Sequence, residues 1–182
     1  MIRHAYLTGE ERTLVRSALM FARRAHAGQT RKDGRTPYLF HPVRVCNILA
    51  TELMPGPVLA AAMLHDTIED CDVRAGQLQA VVGIEVTRMV QEVTDQQGSS
   101  AARKLAQLEN APFLTRGAAA IKLADKTANL IDMVERPPVG YTLEDRTRYA
   151  WHAEALAGAV CWPLWGLRAQ LFAAARRAKA PA

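Results

Sequence analysis

Apolar residues recur at three- and four-residue spacings along most of this chain, and that period predicts amphipathic helices. The first helix carries such positions over residues 14–25; Thr8 or Gly9 can start it and Gly28 can end it. A polar loop with a DG turn and a proline follows at 29–40. The chain is therefore expected to open with one helix and one polar loop.

Prolines mark the ends of the next predicted helices. Pro42 suits the first turn of a second helix, and the sequence PGP at 55–57 ends it. Residues 58–70 then form a third helix, which is apolar on nearly all sides and therefore mostly buried. The segment 117–135 forms another long helix, and the proline pair that follows stops it.

The remaining segments add shorter helices. Two are expected around Gly83 within 78–93, and a polar loop with a short helix within 94–116. A capping-box pattern, TLED, opens a last helical region at 142–176, and we expect the basic tail AAARRAKAPA to be frayed. Strand alternation and internal repeats are absent from the sequence. We therefore predict an all-α helical bundle that forms a single domain over residues 1–182.

Composition adds a bias toward anionic partners. The chain has a net charge of +5 and a pI near 9.4, which favours nucleotides or nucleic acid. The sequence has no aromatic-rich stripe or glycine–arginine tract of the kind that binds single strands. Small phosphorylated ligands are therefore favoured over nucleic acid, which would rest on the net charge alone.

Cysteine usage and hydropathy bear on the compartment. Cys46, Cys71 and Cys161 are far apart and form no CxxC pair, which argues against a zinc ribbon or a disulfide framework and suits a reducing cytosol. The N-terminal residues contain no long apolar core, and no apolar run approaches the roughly 18–20 residues of a membrane span. We expect a soluble cytoplasmic protein that does not bind membranes.

The stretch MLHDTIEDC at 63–71 places a histidine and three acids at the end of the apolar third helix. On a continuous helix His65 would share a face with Glu69, because residues four apart are neighbours. Asp66 would share a face with Asp70 for the same reason. Buried carboxylates must be paired, hydrogen-bonded or bound to metal, and a divalent cation would satisfy them.

Two residues elsewhere have a setting that suits metal ligands. His41 directly precedes Pro42, and Asp125 follows the apolar run AAAIKLA much as Asp66 follows VLAAAML. Together with His65 and Asp66 they would supply two imidazoles and two carboxylates, a set that suits Mn²⁺, Fe²⁺, Co²⁺ or Zn²⁺ rather than Mg²⁺ or Ca²⁺. Spacing alone leaves open that these are satisfied core groups or helix caps, since an HD dipeptide by itself is a weak signal.

Several longer motifs follow one another along the chain: HAGQTRKDGRTPYLFHP at 26–42, FHPVRV at 40–45, LHDTIED at 64–70, VTRMVQEVTD at 86–95 and IKLADKTANL at 121–130. These motifs resemble the HD-superfamily metal-dependent phosphohydrolases and, more narrowly, the hydrolase domain of RelA/SpoT alarmone enzymes. The resemblance covers roughly residues 14–135 in order, and the chain stops soon after it, as in a stand-alone small alarmone hydrolase.

The resemblance implies a role for each motif. One metal ion per chain, usually Mn²⁺, would be held by His41, His65, Asp66 and Asp125. The acidic pair Glu69 and Asp70 would handle the attacking water and the proton transfers, and Arg31, Lys32 and Asn129 would contact the nucleotide. Lys122 and Lys126 flank Asp125, but the default expectation is that they are surface lysines. Tyr149 could line a pocket, and a role in core packing or in an oligomer contact is an equally favoured interpretation.

The implied reaction removes the 3′-pyrophosphate from ppGpp or pppGpp and yields GDP or GTP. Thr127 and Ala128 depart from the pattern of the family near the nucleotide, so the alternatives of ppApp and of the 2′-phosphate of NADPH stay open. A non-catalytic alarmone sensor or antitoxin is a further alternative, although the intact Glu69–Asp70 pair argues against it. A homo-oligomer is compatible with the sequence.

Overall fold

The computed structural model describes residues 5–181 of the chain, and within that range it contains helices and no strand. A single isolated bridge pairs Thr30 with Pro37 in the polar loop. The predicted all-α class is confirmed. In chain order the helices are α1 (Gly9–Ala25), α2 (Phe40–Thr51), α3 (Gly56–Leu64), α4 (Thr67–Asp70), α5 (Ala75–Val93), α6 (Ser100–Asn110), a 3₁₀ turn (Ala111–Phe113), α7 (Arg116–Glu135), α8 (Leu143–Ala159) and α9 (Trp165–Lys179).

Helix α1 begins where the sequence predicted, with a capping box. The Thr8 hydroxyl accepts from the backbone N–H of Glu11, and the Glu11 carboxylate accepts from that of Thr8. The same carboxylate accepts the N–H of Gly56 at 2.8 Å. A Cβ at Gly56 would lie 2.5 Å from the Cβ of Glu11, so glycine is required for this contact. The starts of α1 and α3 are thereby joined.

Helix α3 lies at the centre of the bundle. Only Pro57 of its residues is not fully buried, and α1, α2, α5 and α7 pack around it. Helix α7 contacts α2 on one side and α8 and α9 on the other. Burial of these apolar faces is the main stabilising contribution to the fold. The C-terminal end of α3 and the middle of α7 meet beside the loop that precedes α2.

Two predictions about helix ends are wrong. Residues 58–70 do not form one helix, because α3 ends at Leu64 and α4 starts at Thr67. The C-terminal tail is not frayed after residue 176, because α9 continues to Lys179, whose ammonium group lies 2.7 Å from Glu154 of α8. Alanines of the expected tail are buried against the neighbouring helices, and this packing holds the last turn.

The other helix predictions are confirmed, with small shifts. Gly83 has φ 79° and kinks α5 into two parts. Helix α2 starts at Phe40, two residues before Pro42, so His41 lies inside its first turn. Thr142 and Asp145 form the predicted capping box of α8. None of the helices within residues 5–181 has the length and apolarity needed to cross a membrane.

Candidate metal centre and active site

The His65–Asp66 pair lies at the junction of α3 and α4. His65 Nδ1 donates to the carbonyl oxygen of Ala62 (2.7 Å), and Thr67 Oγ1 donates to that of Leu64 (2.6 Å). Both donors serve carbonyls at a helix end, where backbone N–H partners run out. Consecutive side chains of a regular helix diverge by about 100°. His65 and Asp66 are neighbours at this junction, and their side chains nevertheless meet, with His65 Nε2 3.2 Å from Asp66 Oδ1.

Four side chains converge at this point. Nε2 of His41 lies 3.2 Å from Nε2 of His65. Asp66 places one carboxylate oxygen 3.5 Å from the first imidazole nitrogen and the other 3.2 Å from the second. Asp125 places Oδ1 3.1 Å from Nε2 of His41 and 3.8 Å from Nε2 of His65. The structure therefore brings together all four residues that the sequence analysis proposed as metal ligands.

The charges of this cluster are balanced through one imidazolium. Burial lowers the pKa of His41. Burial acts in the same direction on His65, but Asp66 and Asp125 outweigh it and raise the pKa of His65 to about 9. Burial would raise the pKa values of both carboxylates, but the two imidazoles outweigh it and hold those values below the usual range. The two negative carboxylates thus face only one positive charge, that of the protonated His65. A divalent cation at this point would balance both carboxylates.

The donor set fits a divalent transition metal. Nδ1 of His65 carries a hydrogen because its partner is a carbonyl oxygen, so Nε2 is the atom that would coordinate once a bound cation displaces its proton. His41 Nδ1 is buried and has no hydrogen-bond partner among residues 5–181, so the polar contacts of this ring are made by Nε2. Ligand atoms of His41, His65 and Asp66 all lie within 4.8 Å of one another. These residues together with Asp125 could hold one such ion.

Glu69 and Asp70 line one cavity together with His65 and Asp66, and the two acids contact different parts of the chain. The Glu69 carboxylate accepts from Arg103 of α6 (3.1 Å) and from the backbone N–H of Asp95 (3.4 Å). Burial, followed by the negative charges of Asp95 and Asp66, raises the pKa of Glu69. Glu69 is thus suited to carry a proton.

Asp70 is held by Tyr38, a residue for which the sequence analysis gave no role. The Tyr38 hydroxyl lies 2.9 Å from Asp70 Oδ2 and 2.7 Å from Asp66 Oδ2. Its ring stacks on His26 with centroids 4.6 Å apart. The only signal in the sequence was that Tyr38 and His26 belong to a long motif shared with the family. A hydroxyl between two carboxylates becomes visible only in the fold.

A cavity of about 350 Å³ opens above the cluster. Both Glu69 and Asp70 line it, as do the predicted nucleotide contacts Arg31, Lys32 and Asn129. This volume lies within the range of small-molecule sites. Several cationic side chains that can contact phosphate groups line the same cavity, and most of them are paired with acids of the same lining: Arg31, Lys32, Arg103, Lys122, Lys126 and Arg136.

Asn129 connects the metal cluster with Arg31. Its Nδ2 donates to Asp125 Oδ1, and its Oδ1 accepts from the Arg31 guanidinium, both at 2.6 Å. Arg31 also lies 3.1 Å from Asp132.

Asp33 fixes the loop that carries Arg31. Hydrogen bonds from Thr36 and from two backbone N–H groups hold its carboxylate, and they lower the pKa of Asp33 to about 2 and favour its charged form.

Comparison with known proteins gives the family. Residues 18–154 match the family described as HD domain. The human protein named guanosine-3′,5′-bis(diphosphate) 3′-pyrophosphohydrolase MESH1 is 40% identical over 156 residues, which cover 82% of this chain and 87% of that protein. This chain belongs to the HD-domain family.

Other relatives point to the same group of HD-domain proteins. The Drosophila melanogaster protein of the same name is 40% identical over 135 residues, covering 72% of this chain and 75% of that protein. The Escherichia coli bifunctional (p)ppGpp synthase/hydrolase SpoT is 36% identical over 132 residues, only 19% of its length. A solved structure of a metazoan SpoT orthologue that hydrolyses ppGpp matches with a TM-score of 0.85, at 33% identity, over 96% of this chain and 98% of that one.

Residues that the sequence analysis left aside take clear positions in this HD domain. Lys122, Lys126 and Tyr149 all line the cavity. The ammonium of Lys126 lies 3.7 Å from Asp125 and 5.6 Å from the centroid of the Tyr149 ring, so the default assignment to the surface is wrong for this lysine. Thr127 and Ala128 are buried and do not line the cavity.

Proposed function

We propose that this protein is a Mn²⁺-dependent 3′-pyrophosphohydrolase that converts ppGpp and pppGpp into GDP and GTP with release of pyrophosphate. The observation that supports this most directly is the convergence of His41, His65, Asp66 and Asp125 beneath a cavity lined by cations. The names of the relatives that share most of this length support the same substrate class.

The metal would be held by His41, His65, Asp66 and Asp125. When bound, such an ion supplies a Lewis acid that makes a coordinated water more acidic and offsets phosphate charge. The side chains of this chain supply the remaining steps. Arg31 and Lys32 bind the nucleotide on one side of the cavity, and Lys122 and Lys126 face it from α7.

The acidic pair handles the protons of hydrolysis. Water adds its oxygen to the phosphorus next to the 3′ oxygen of the ribose, and the bond from that phosphorus to the 3′ oxygen breaks. One proton must leave the water and one must reach the 3′ oxygen. Asp70, held by Tyr38, is placed to accept the first; Glu69, whose pKa is raised by burial, Asp95 and Asp66, is suited to donate the second.

The test compares substrates, metal and one ligand variant. Pyrophosphate release from ppGpp and ppApp, and phosphate release from NADPH, are measured in parallel with Mn²⁺ and with chelator, for wild type and Asp66→Ala. We expect Mn²⁺-dependent release from ppGpp that chelator and the variant abolish. Faster turnover of ppApp or NADPH would overturn the substrate assignment. Binding of ppGpp without release would instead identify a non-catalytic sensor.

A further inference from the structure

The motif VTRMVQEVTD ends in Asp95, and the proposed reaction gives this residue no role. Asp95 lies two residues beyond the end of α5, and its side chain is only 16% exposed. It nevertheless lines the catalytic cavity. A carboxylate that is mostly buried requires partners, and those partners define what Asp95 can do.

Both oxygens of the Asp95 carboxylate are engaged by neighbouring helices. Lys122 Nζ of α7 lies 2.7 Å from Oδ1, and Gln107 Nε2 of α6 donates to Oδ2. The other end of the Gln107 amide accepts from His152 Nε2 of α8 at 2.9 Å. The carboxylate is therefore fixed in orientation by residues from three helices.

The backbone of Asp95 contacts the acidic pair. Its N–H donates to Glu69 Oε2 at 3.4 Å, while Arg103 donates to Glu69 Oε1 at 3.1 Å. Glu69 comes from α4 and Lys122 from α7. Asp95 therefore joins Glu69 of α4 to Lys122 of α7, and the side chains of Glu69 and Lys122 line the same cavity.

Asp95 can act on the reaction through the groups that it contacts. Its two carboxylate oxygens accept from Lys122 and Gln107, and its backbone N–H donates to Glu69. The charge of Asp95 also acts on Glu69. The pKa of Glu69 is raised first by burial, then by the charges of Asp95 and Asp66, and further by that of Asp70. The cation of Arg103 faces Glu69 from α6.

We propose that Asp95 is a positioning residue of the hydrolytic site, which holds Glu69 through its backbone N–H and Lys122 through its carboxylate so that both face the phosphate groups in the cavity. The inference rests on the proposed function, because Glu69 and Lys122 have a task only if a phosphorylated nucleotide is cleaved there.

Two substitutions separate geometry from charge. In Asp95→Asn the amide oxygen still accepts from Lys122, and the amide NH₂ can donate to Gln107 if the Gln107 side chain reverses. His152 can then accept from the reversed amide, because burial and the nearby Lys126 and Lys104 lower the pKa of His152 to about 4 and keep it neutral. Asp95→Ala removes the side-chain contacts to Lys122 and Gln107 and keeps the backbone N–H that donates to Glu69.

Glu154→Gln is the matched control. Glu154 also joins two helices through a lysine, with its carboxylate 2.7 Å from Lys179, and it does not line the cavity. We expect D95A to lower kcat by about 10–100-fold with a smaller change in KM, the scale on which misplaced catalytic groups act. D95N should recover most of that loss, and E154Q should match wild type.

A second measurement does not depend on turnover. The carboxyl carbon of Glu69, ¹³C-labelled, is titrated by NMR in protein treated with chelator. Because the charge of Asp95 faces Glu69, we expect the pKa of Glu69 to fall in D95N and to stay at its wild-type value in E154Q. A kcat of D95A equal to that of wild type would overturn the proposal; a Glu69 titration unchanged in D95N would limit the role of Asp95 toward Glu69 to its backbone N–H, which both variants retain. Absence of pyrophosphate release from wild type would overturn the proposed function instead, and the titration would still report whether Asp95 acts on Glu69.

Discussion

Two segments of the chain each contribute an aspartate to the cluster of histidine and aspartate side chains, but they do so in different ways. One segment is the junction of α3 and α4, and the other is the middle of α7. Both segments follow an alanine-rich apolar run with an aspartate, Asp66 in one and Asp125 in the other. Helix α7 continues without a break for ten residues past Asp125, whereas α3 ends two residues before Asp66. The same local pattern therefore produces a regular helix in one place and a break in the other.

The regular helix presents its polar groups as a stripe. Lys122, Asp125, Asn129 and Asp132 of α7 all line the cavity at three- and four-residue spacings. At the junction, the neighbouring side chains of His65 and Asp66 meet, with Nε2 of His65 3.2 Å from Oδ1 of Asp66. Both segments thus bring polar side chains to the cavity, one from a regular helix and the other from a helix junction.

The largest expected effect tests whether the two segments share one centre. Asp66→Ala and Asp125→Ala should each lower kcat/KM for pyrophosphate release by about a thousandfold or more, since each removes a charge that the metal needs. Chelator should do the same to wild type. Activity assays and Mn²⁺ titration of the folded variants check this. Retention of Mn²⁺ binding in only one variant would mean that the two acids do not serve a common ion.

A smaller effect concerns how each acid is held. Asp125 is bonded by Asn129 of its own helix, whereas Asp66 depends on Tyr38 from the loop before α2. Tyr38→Phe should weaken Mn²⁺ binding by about 10–100-fold, as is typical when a group that orients a ligand is lost. Competition titration with a chelator measures it. Tyr6→Phe, which removes a hydroxyl bonded to the Met54 carbonyl far from the cavity, should bind Mn²⁺ like wild type.

Two buried threonines allow the break itself to be tested. Thr67 Oγ1 donates to the Leu64 carbonyl at the end of α3, and Thr127 Oγ1 donates to the Leu123 carbonyl inside α7. Thr67→Val should lower the free energy of unfolding by about 1–3 kcal/mol, the cost of leaving a buried polar group without its partner. Thr127→Val should cost less than about 1 kcal/mol, because a carbonyl inside a helix keeps its backbone donor. Equal losses in urea unfolding would contradict this account of the junction.

The smallest effect concerns how the stability of the fold depends on pH through His152 of α8. Burial, then Lys126 and Lys104, lower the pKa of His152 to about 4, below the ordinary value of 6.5. Between those pH values the unfolded chain binds more protons at this position, so stability falls as the pH drops from about 6.5 to 4. His152→Gln should show a shallower fall in the free energy of unfolding over this window. Identical slopes in urea unfolding at several pH values would show that His152 is not held neutral.

Much of the site could be predicted because it lies in short motifs with a fixed local meaning. His41, His65, Asp66 and Asp125 could be named from the HD dipeptide, the apolar runs and the resemblance to a known family. The structure brings these four together. The prediction of one helix through residues 58–70 was wrong, because the helix breaks between Leu64 and Thr67, although His65, Asp66, Glu69 and Asp70 all line the same cavity.

Other groups could not be predicted because their partners are distant in the chain. Tyr38 reaches Asp66 across 28 positions, and Lys122 reaches Asp95 across 27. The chemistry of a tyrosine or a lysine in the sequence does not show which carboxylate it will meet. Similarly, Lys126 is buried although lysine is usually exposed, since α7 packs between α2 and α9 and turns that lysine toward the cavity.

The sequence by itself determined the all-α class, most helix ends and the types of side chain that a metal centre needs, because caps, prolines and apolar periodicity act over a few residues. Only the tertiary structure decided that α3 stops before His65, that Tyr38 joins Asp66 to Asp70, and that Asp95 links Glu69 to Lys122. These contacts depend on helices that meet only after the chain has packed, and the packing is set by the apolar core as a whole rather than by any local motif.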